Sequence, residues 1–194
     1  MYEYDVFISY PREVALAAAW VRTHFYPRLL EHLDAYLDRE VTVFFDENIP
    51  AGAKWPPTLQ HALRRTRILV AVCAPKYFRS EWCMAEWQSM ARREELVGRT
   101  SPEGTQSLIY PVIFCDSDSF PDYAHQRRMR DFNDLNHPEE HFQMSPRYLD
   151  FRSEVGRIAE ELEKLIERAP AWQPDWPLDT PLPEKPPTAK LPRF

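Results

Sequence analysis

The chain has 194 residues, 44% of them hydrophobic and 13% aromatic, which suits one domain with a substantial core and an additional segment. Its net charge of −6 gives no electrostatic reason to expect nucleic acid as the main partner, and no apolar run approaches the ~20 residues needed to span a bilayer. Met1 to Asp5 carries no basic stretch and leads straight into a strand pattern, so the N-terminus does not read as a signal peptide.

Tyr4 to Ser9 is an apolar run with aromatic and β-branched residues, which predicts a first, central strand. Val14 to Leu37 follows with apolar residues at helical spacing, and Pro27 is expected to kink or divide that helix. Val41 to Phe45 predicts a second short strand running into an irregular loop from Asp46 to Trp55, marked by Asn48, Pro50 and Gly52. Pro56 and Pro57 suit a helix start, and Leu59 to Thr66 continues that helix.

Ile68 to Ala74 predicts a third strand, buried on both faces, and Ser80 to about Val97 a third helix. Ser80 is a good N-cap, because its hydroxyl can accept an orphan N–H of the first turn. Trp82 and Glu86 are four residues apart and share a helical face. An indole beside a carboxylate at the C-terminal edge of a sheet can bind a ring and stabilise a cation, and ligands collect at that edge in open α/β folds. A loop from Gly98 to Gln106 precedes a fourth strand, Leu108 to Phe114.

Asp116 to Met144 is polar, aromatic and rich in His and Asn, with one short strand expected near Asp131, Phe132 and Asn133. Phe151 to Arg168 is an amphipathic helix whose stripe is Val155, Ile158, Leu162, Leu165 and Ile166. Alternating strands and helices predict a parallel sheet covered on both faces. Residues 169–194 hold eight of the 19 prolines and balanced charge, which predicts an extended, polyproline-like tail. Trp172 and Trp176 are expected to anchor it on its own domain or on a partner protein.

The three cysteines, Cys73, Cys83 and Cys115, fall within strand or helix patterns and read as reduced, buried thiols of a cytoplasmic protein. Cys83 beside Trp82 is a small buried hydrophobe rather than a nucleophile, since no His stands at a motif-like spacing. His137 and His141 carry Pro138 between them and have no Cys nearby, so no metal is expected. The pairs and triplets at Arg64-Arg65-Arg67, Arg92-Arg93 and Arg127-Arg128-Arg130 read as solvated helix faces, the alternative being that one of them meets a partner or a pyrophosphate. Only four glycines occur, and neither a G-x-G-x-x-G nor a Walker-type loop is present, which disfavours a dehydrogenase or a nucleotide triphosphatase.

Three segments in order converge on one family. Tyr4-Asp5-Val6-Phe7-Ile8-Ser9-Tyr10 resembles the first-strand box of Toll/interleukin receptor (TIR) domains. Phe45-Asp46 through Gly52 to Trp55 resembles the second strand and BB loop, and Ser80-Glu81-Trp82-Cys83-Met84-Ala85-Glu86 resembles the serine, Trp-Cys and glutamate motif opening the third helix. The resemblance covers residues 1–168, is closest to bacterial and plant members, and implies a flavodoxin-like, doubly wound α/β fold with a five-stranded parallel sheet.

Many members of that family cleave NAD+ between nicotinamide and ribose, and some cyclise or transfer the ADP-ribose. The resemblance therefore implies that NAD+ is a consumed substrate rather than a recycled cofactor. It implies that Glu86 is the catalytic carboxylate, steadying an oxocarbenium-like ribose. It further implies substrate contacts from Trp82, Trp55, Asp46, Ser9, Tyr10 and Arg12. Pro11 departs from the family pattern, in which a polar or basic residue is common there. Activation by assembly into homo-oligomers and a role in anti-phage or stress signalling are implied as well. The alternatives left by the same motifs are a non-catalytic module that only binds other TIR domains, and an effector that mimics them.

Overall fold

A computed structural model describes residues 1–46, 57–100 and 106–179. Five parallel strands form one sheet in the order β2-β1-β3-β4-β5. They are β1 (Tyr4–Ser9), β2 (Val43–Phe45), β3 (Thr66–Cys73), β4 (Ile109–Ile113) and β5 (Arg130–Asp131). The order is the flavodoxin-like one that the resemblance noted above implies, and the parallel pairing is the one expected from the alternation. The sheet's middle strand is β3, with seven of its eight residues buried, whereas β1 lies one place off centre between β2 and β3. Ile68, Leu69, Val70, Ala71 and Val72 are fully buried, as a run with no polar alternation must be when helices cover both faces.

Helices α1 (Ala15–Trp20) and α2 (Tyr26–Tyr36) are joined without a break by a π-helical turn, Val21–Phe25. Pro27 sits in the first turn of α2, and the Tyr26 N–H reaches back to the carbonyl of Val21. The wider turn absorbs the missing donor and the ring of Pro27, so the segment is jogged rather than divided. The helices α3 (Pro57–Arg64) and α4 (Glu81–Thr100) pack against β1, β3 and β4. The short α5 (Asp122–His125) leads to β5, and α6 (Arg147–Glu167) packs on α2. Because parallel crossovers are right-handed, reversing direction between β2 and β3 puts α1 and α2 on one face and α3 and α4 on the other, and α6 joins the first face by packing on α2.

Two buried carboxylates tie strand ends to their neighbours. Asp5 accepts from the Arg39 guanidinium at 2.6 and 2.9 Å and from the Thr42 N–H at 3.1 Å, which sets where β2 begins. Pairing starts at Val43, two residues later than the apolar run suggests. Glu94 on α4 accepts from the Leu108 N–H at 2.6 Å and pairs with Arg127, fixing the entry to β4. Helix α6 starts at Arg147, a turn before the expected Phe151, since Tyr148 and Phe151 join an aromatic cluster in which Trp20, Phe25 and Phe132 contact one another.

Residues 170–179 cross the α3 and α4 side of the domain. Tyr2 donates to the Pro170 carbonyl at 2.9 Å, and Trp172 donates to the Arg64 carbonyl at 3.3 Å. Trp176 is buried against Arg93, whose Cζ lies 5.6 Å from the indole centroid. The Asp179 N–H donates to Ser89 Oγ at 2.8 Å, and its carboxylate pairs with Arg92 at 2.7 Å. Arg93 is thus no solvated surface residue: it is 1% exposed and donates to the carbonyls of Leu63 and Thr66 at 2.8 and 3.2 Å.

Candidate active site

In an open parallel sheet, a crevice forms where consecutive connections leave in opposite directions. Here that point lies between β1 and β3, at the register pair Ser9 and Ala71. Ser9 ends β1, Asp46 directly follows β2, and Tyr77 lies on the short 3-10 turn after β3. Ser80 then leaves that turn in an extended conformation and caps α4, its Oγ 3.5 Å from the Cys83 N–H. Each functional side chain therefore stands at a strand's carboxyl end or on the first turns of the next helix.

Glu86 is the centre of the arrangement. It is 4% exposed, and Ser9 Oγ donates to its Oε2 at 2.5 Å. Ser9 Oγ also lies 2.9 Å from the Tyr77 hydroxyl, which completes a buried chain from Tyr77 through Ser9 to Glu86. Burial pushes the Glu86 carboxyl up to about 7, with the Asp46 charge adding to the rise and the Ser9 hydrogen bond and Arg12 opposing it. Taking a carboxylate out of water disfavours its charged form, and here one hydroxyl donor does not compensate.

The outer wall is made by Arg12, Asp46 and Trp82. The Arg12 guanidinium pairs with the Asp46 carboxylate and stacks over the half-buried Trp82 ring, its Cζ 4.7 Å from the centroid. Tyr10 donates to the Asp46 carbonyl at 2.5 Å, and burial pushes its phenol up to about 12, so it remains a neutral donor. Cys83 is buried beside Glu86, and burial raises its thiol well above the ordinary range, which disfavours the thiolate a nucleophile needs.

The structure thus brings Ser9, Tyr10, Arg12, Asp46, Trp82 and Glu86 together. Trp55, the remaining expected contact, lies outside the described residues. Tyr77 was not anticipated, although a large aromatic three residues ahead of a helix cap, at the carboxyl end of a buried strand, was the available signal. No group of three or more potential metal ligands occurs among the described residues.

An indole face beside a buried carboxylate can hold a flat cationic ring and stabilise positive charge next to it. No helix among the described residues is long and apolar enough to cross a membrane.

No curated protein matches the chain. Among solved structures, it resembles the TIR domain of the Toll-related receptor TRR-2 from the lower metazoan Hydra magnipapillata. The two share 18% identity, with 66% of this chain and 84% of that one covered, at a TM-score of 0.45. It also resembles the TIR domains of the activated Roq1 resistosome, which directly recognises the pathogen effector XopQ. There the identity is 22%, the coverage 85% and 84%, and the TM-score 0.39. The family model described as TIR domain matches residues 6–166, from the third residue of the first-strand box almost to the end of α6. With that match over most of its length and the five-stranded sheet in flavodoxin-like order, the chain belongs to the TIR domain family.

Proposed function

We propose that this TIR domain cleaves the bond between nicotinamide and ribose in NAD+. The observation that carries the reading is the buried Glu86 carboxylate at the β1–β3 crevice, held by Ser9 and flanked by the Trp82 ring. Nicotinamide stacks on Trp82, which sets the ribose beside Glu86. As the glycosidic bond lengthens, positive charge develops on the ribose, and an anion in a dry site stabilises it far more than it would in water. The pyridine leaves with the bonding electrons and becomes neutral, so it needs no general acid. One carboxylate therefore suffices where sugar hydrolases use two. Whether water or a second nucleophile reaches the anomeric carbon decides between hydrolysis, cyclisation and transfer. Assembly with further TIR domains completes and opens the site, and the consumed NAD+ is the output of a defence or stress signal.

Mass spectrometry of nucleotides after artificially clustered protein is incubated with NAD+ tests the reading. Wild type is expected to release nicotinamide, and Glu86→Gln to lose at least ~100-fold of that rate. Equal rates for the two proteins sink the enzymatic account.

A second reading has its own observation in favour. Glu86 is almost fully covered, so in this conformation it braces Ser9 rather than meeting a ligand. A module that only binds other TIR domains would keep Glu86 for packing. Such a protein releases no nicotinamide at any degree of clustering.

A further inference from the structure

We propose that the Arg12 side chain occupies the seat of the substrate's pyridinium ring and has to leave it before that ring can bind. The inference rests on the NAD+-cleaving reading above and names a regulatory feature of the same site.

Guanidinium and pyridinium share the properties this wall recognises. Both are flat, both carry one delocalised positive charge, and both are weakly hydrated enough to prefer an aromatic face over bulk water. Arg12 shows how the wall uses those properties: it lies over the Trp82 ring, pairs with Asp46, and its charge is felt by Glu86. Trp82 is itself half-buried and packed on the core, which limits the ring surface left to a ligand while Arg12 stays.

Two like charges cannot share one indole face a few ångströms from the same carboxylates. Binding of a pyridinium and stacking of Arg12 are therefore mutually exclusive, and Arg12 acts as a built-in competitor. Its competition also shapes selection. A neutral ring gains little from the carboxylates that Arg12 leaves behind, whereas a cationic ring gains the whole of that attraction. The site so built favours the oxidised, charged nicotinamide over a reduced or neutral one.

The test uses a ligand without ribose or phosphate, so that phosphate contacts of Arg12 do not enter. 1-Methylnicotinamide, a pyridinium cation methylated on its ring nitrogen, and neutral nicotinamide are titrated into the full chain and followed by tryptophan fluorescence. A condition of about pH 8.5 keeps Glu86 ionised. Arg12→Ala is expected to bind the pyridinium about tenfold more tightly than wild type, with a smaller change for neutral nicotinamide. Arg12→Gln, which keeps a shorter polar side chain without the charge, is expected to behave the same way and guards against a folding defect in the alanine variant. Unchanged or weaker pyridinium binding in both variants overturns the proposal, and so does an equal gain for the neutral ring. The function itself is read separately by nicotinamide release. Tighter binding without any release leaves the Arg12 inference standing and removes the enzyme, while release without tighter binding does the reverse.

Discussion

At the scale of the residue, Glu86 is held at a cost to the fold, and its sign can be worked out. Its folded pKa of about 7 stands above the ordinary 4.5, because burial outweighs the help from Ser9 and Arg12. Below pH 4.5 the carboxyl is neutral in both folded and unfolded chains, and the folded state bears no penalty. As pH rises from 4.5 towards 7 the unfolded chain ionises freely while the folded one resists, so stability falls. The full difference amounts to roughly 3 kcal/mol. Glutamine keeps an acceptor for Ser9 and never ionises. Glu86→Gln is therefore expected to melt several degrees above wild type at pH 8, by an amount set by that penalty, and no higher at pH 4. Thermal melts across that range check it, and a variant less stable than wild type at pH 8 contradicts the electrostatic account. A side chain that costs stability in the resting fold is what a charge-stabilising site requires.

At the scale of the element, α4 carries the site, and its start is set by Ser80. The capping contact to the Cys83 N–H is long at 3.5 Å, so Ser80→Ala is expected to cost only about 0.5–1 kcal/mol. Chemical denaturation measures it, and a loss above ~2 kcal/mol would mean that Ser80 does more than cap. Much of this region was legible from the sequence. Unbroken apolar runs marked β1 and β3, and the i, i+4 spacing put Trp82 and Glu86 on one side of a helix. The misses have physical causes. Arg93 looked like a solvated surface residue beside Arg92, yet Glu86, Met90, Arg93 and Val97 follow one buried helical stripe, and spacing outranks residue type there. Tyr77 fell between a strand and a helix, where periodicity gives no signal. The fifth strand shrinks to Arg130–Asp131, because its pairing with Val112 and Ile113 depends on β4 and not on local composition.

At the scale of the whole molecule, the family match ends at residue 166, but the packed structure continues to Asp179. Trp176 is 3% exposed and lies over Arg93, one of the most buried side chains in the protein. Removing the indole opens a cavity and uncovers a guanidinium whose carbonyl partners lie inside the fold. Trp176→Ala is therefore expected to cost about 3 kcal/mol, read by denaturation. A change below ~0.5 kcal/mol would show that the segment contributes nothing to the domain.

The anchoring of Asp179 to Ser89 has a practical bearing on how this protein should be produced. Ser89 is one helical turn beyond Glu86, so the polypeptide that follows α6 returns to the very rod on which that buried carboxylate is mounted. A fragment trimmed to the homology boundary strips an aromatic cover from an interior cation and slackens that rod. Poor yield or low stability of such a fragment would then reflect the trimming, and cloning through residue 179 is the remedy.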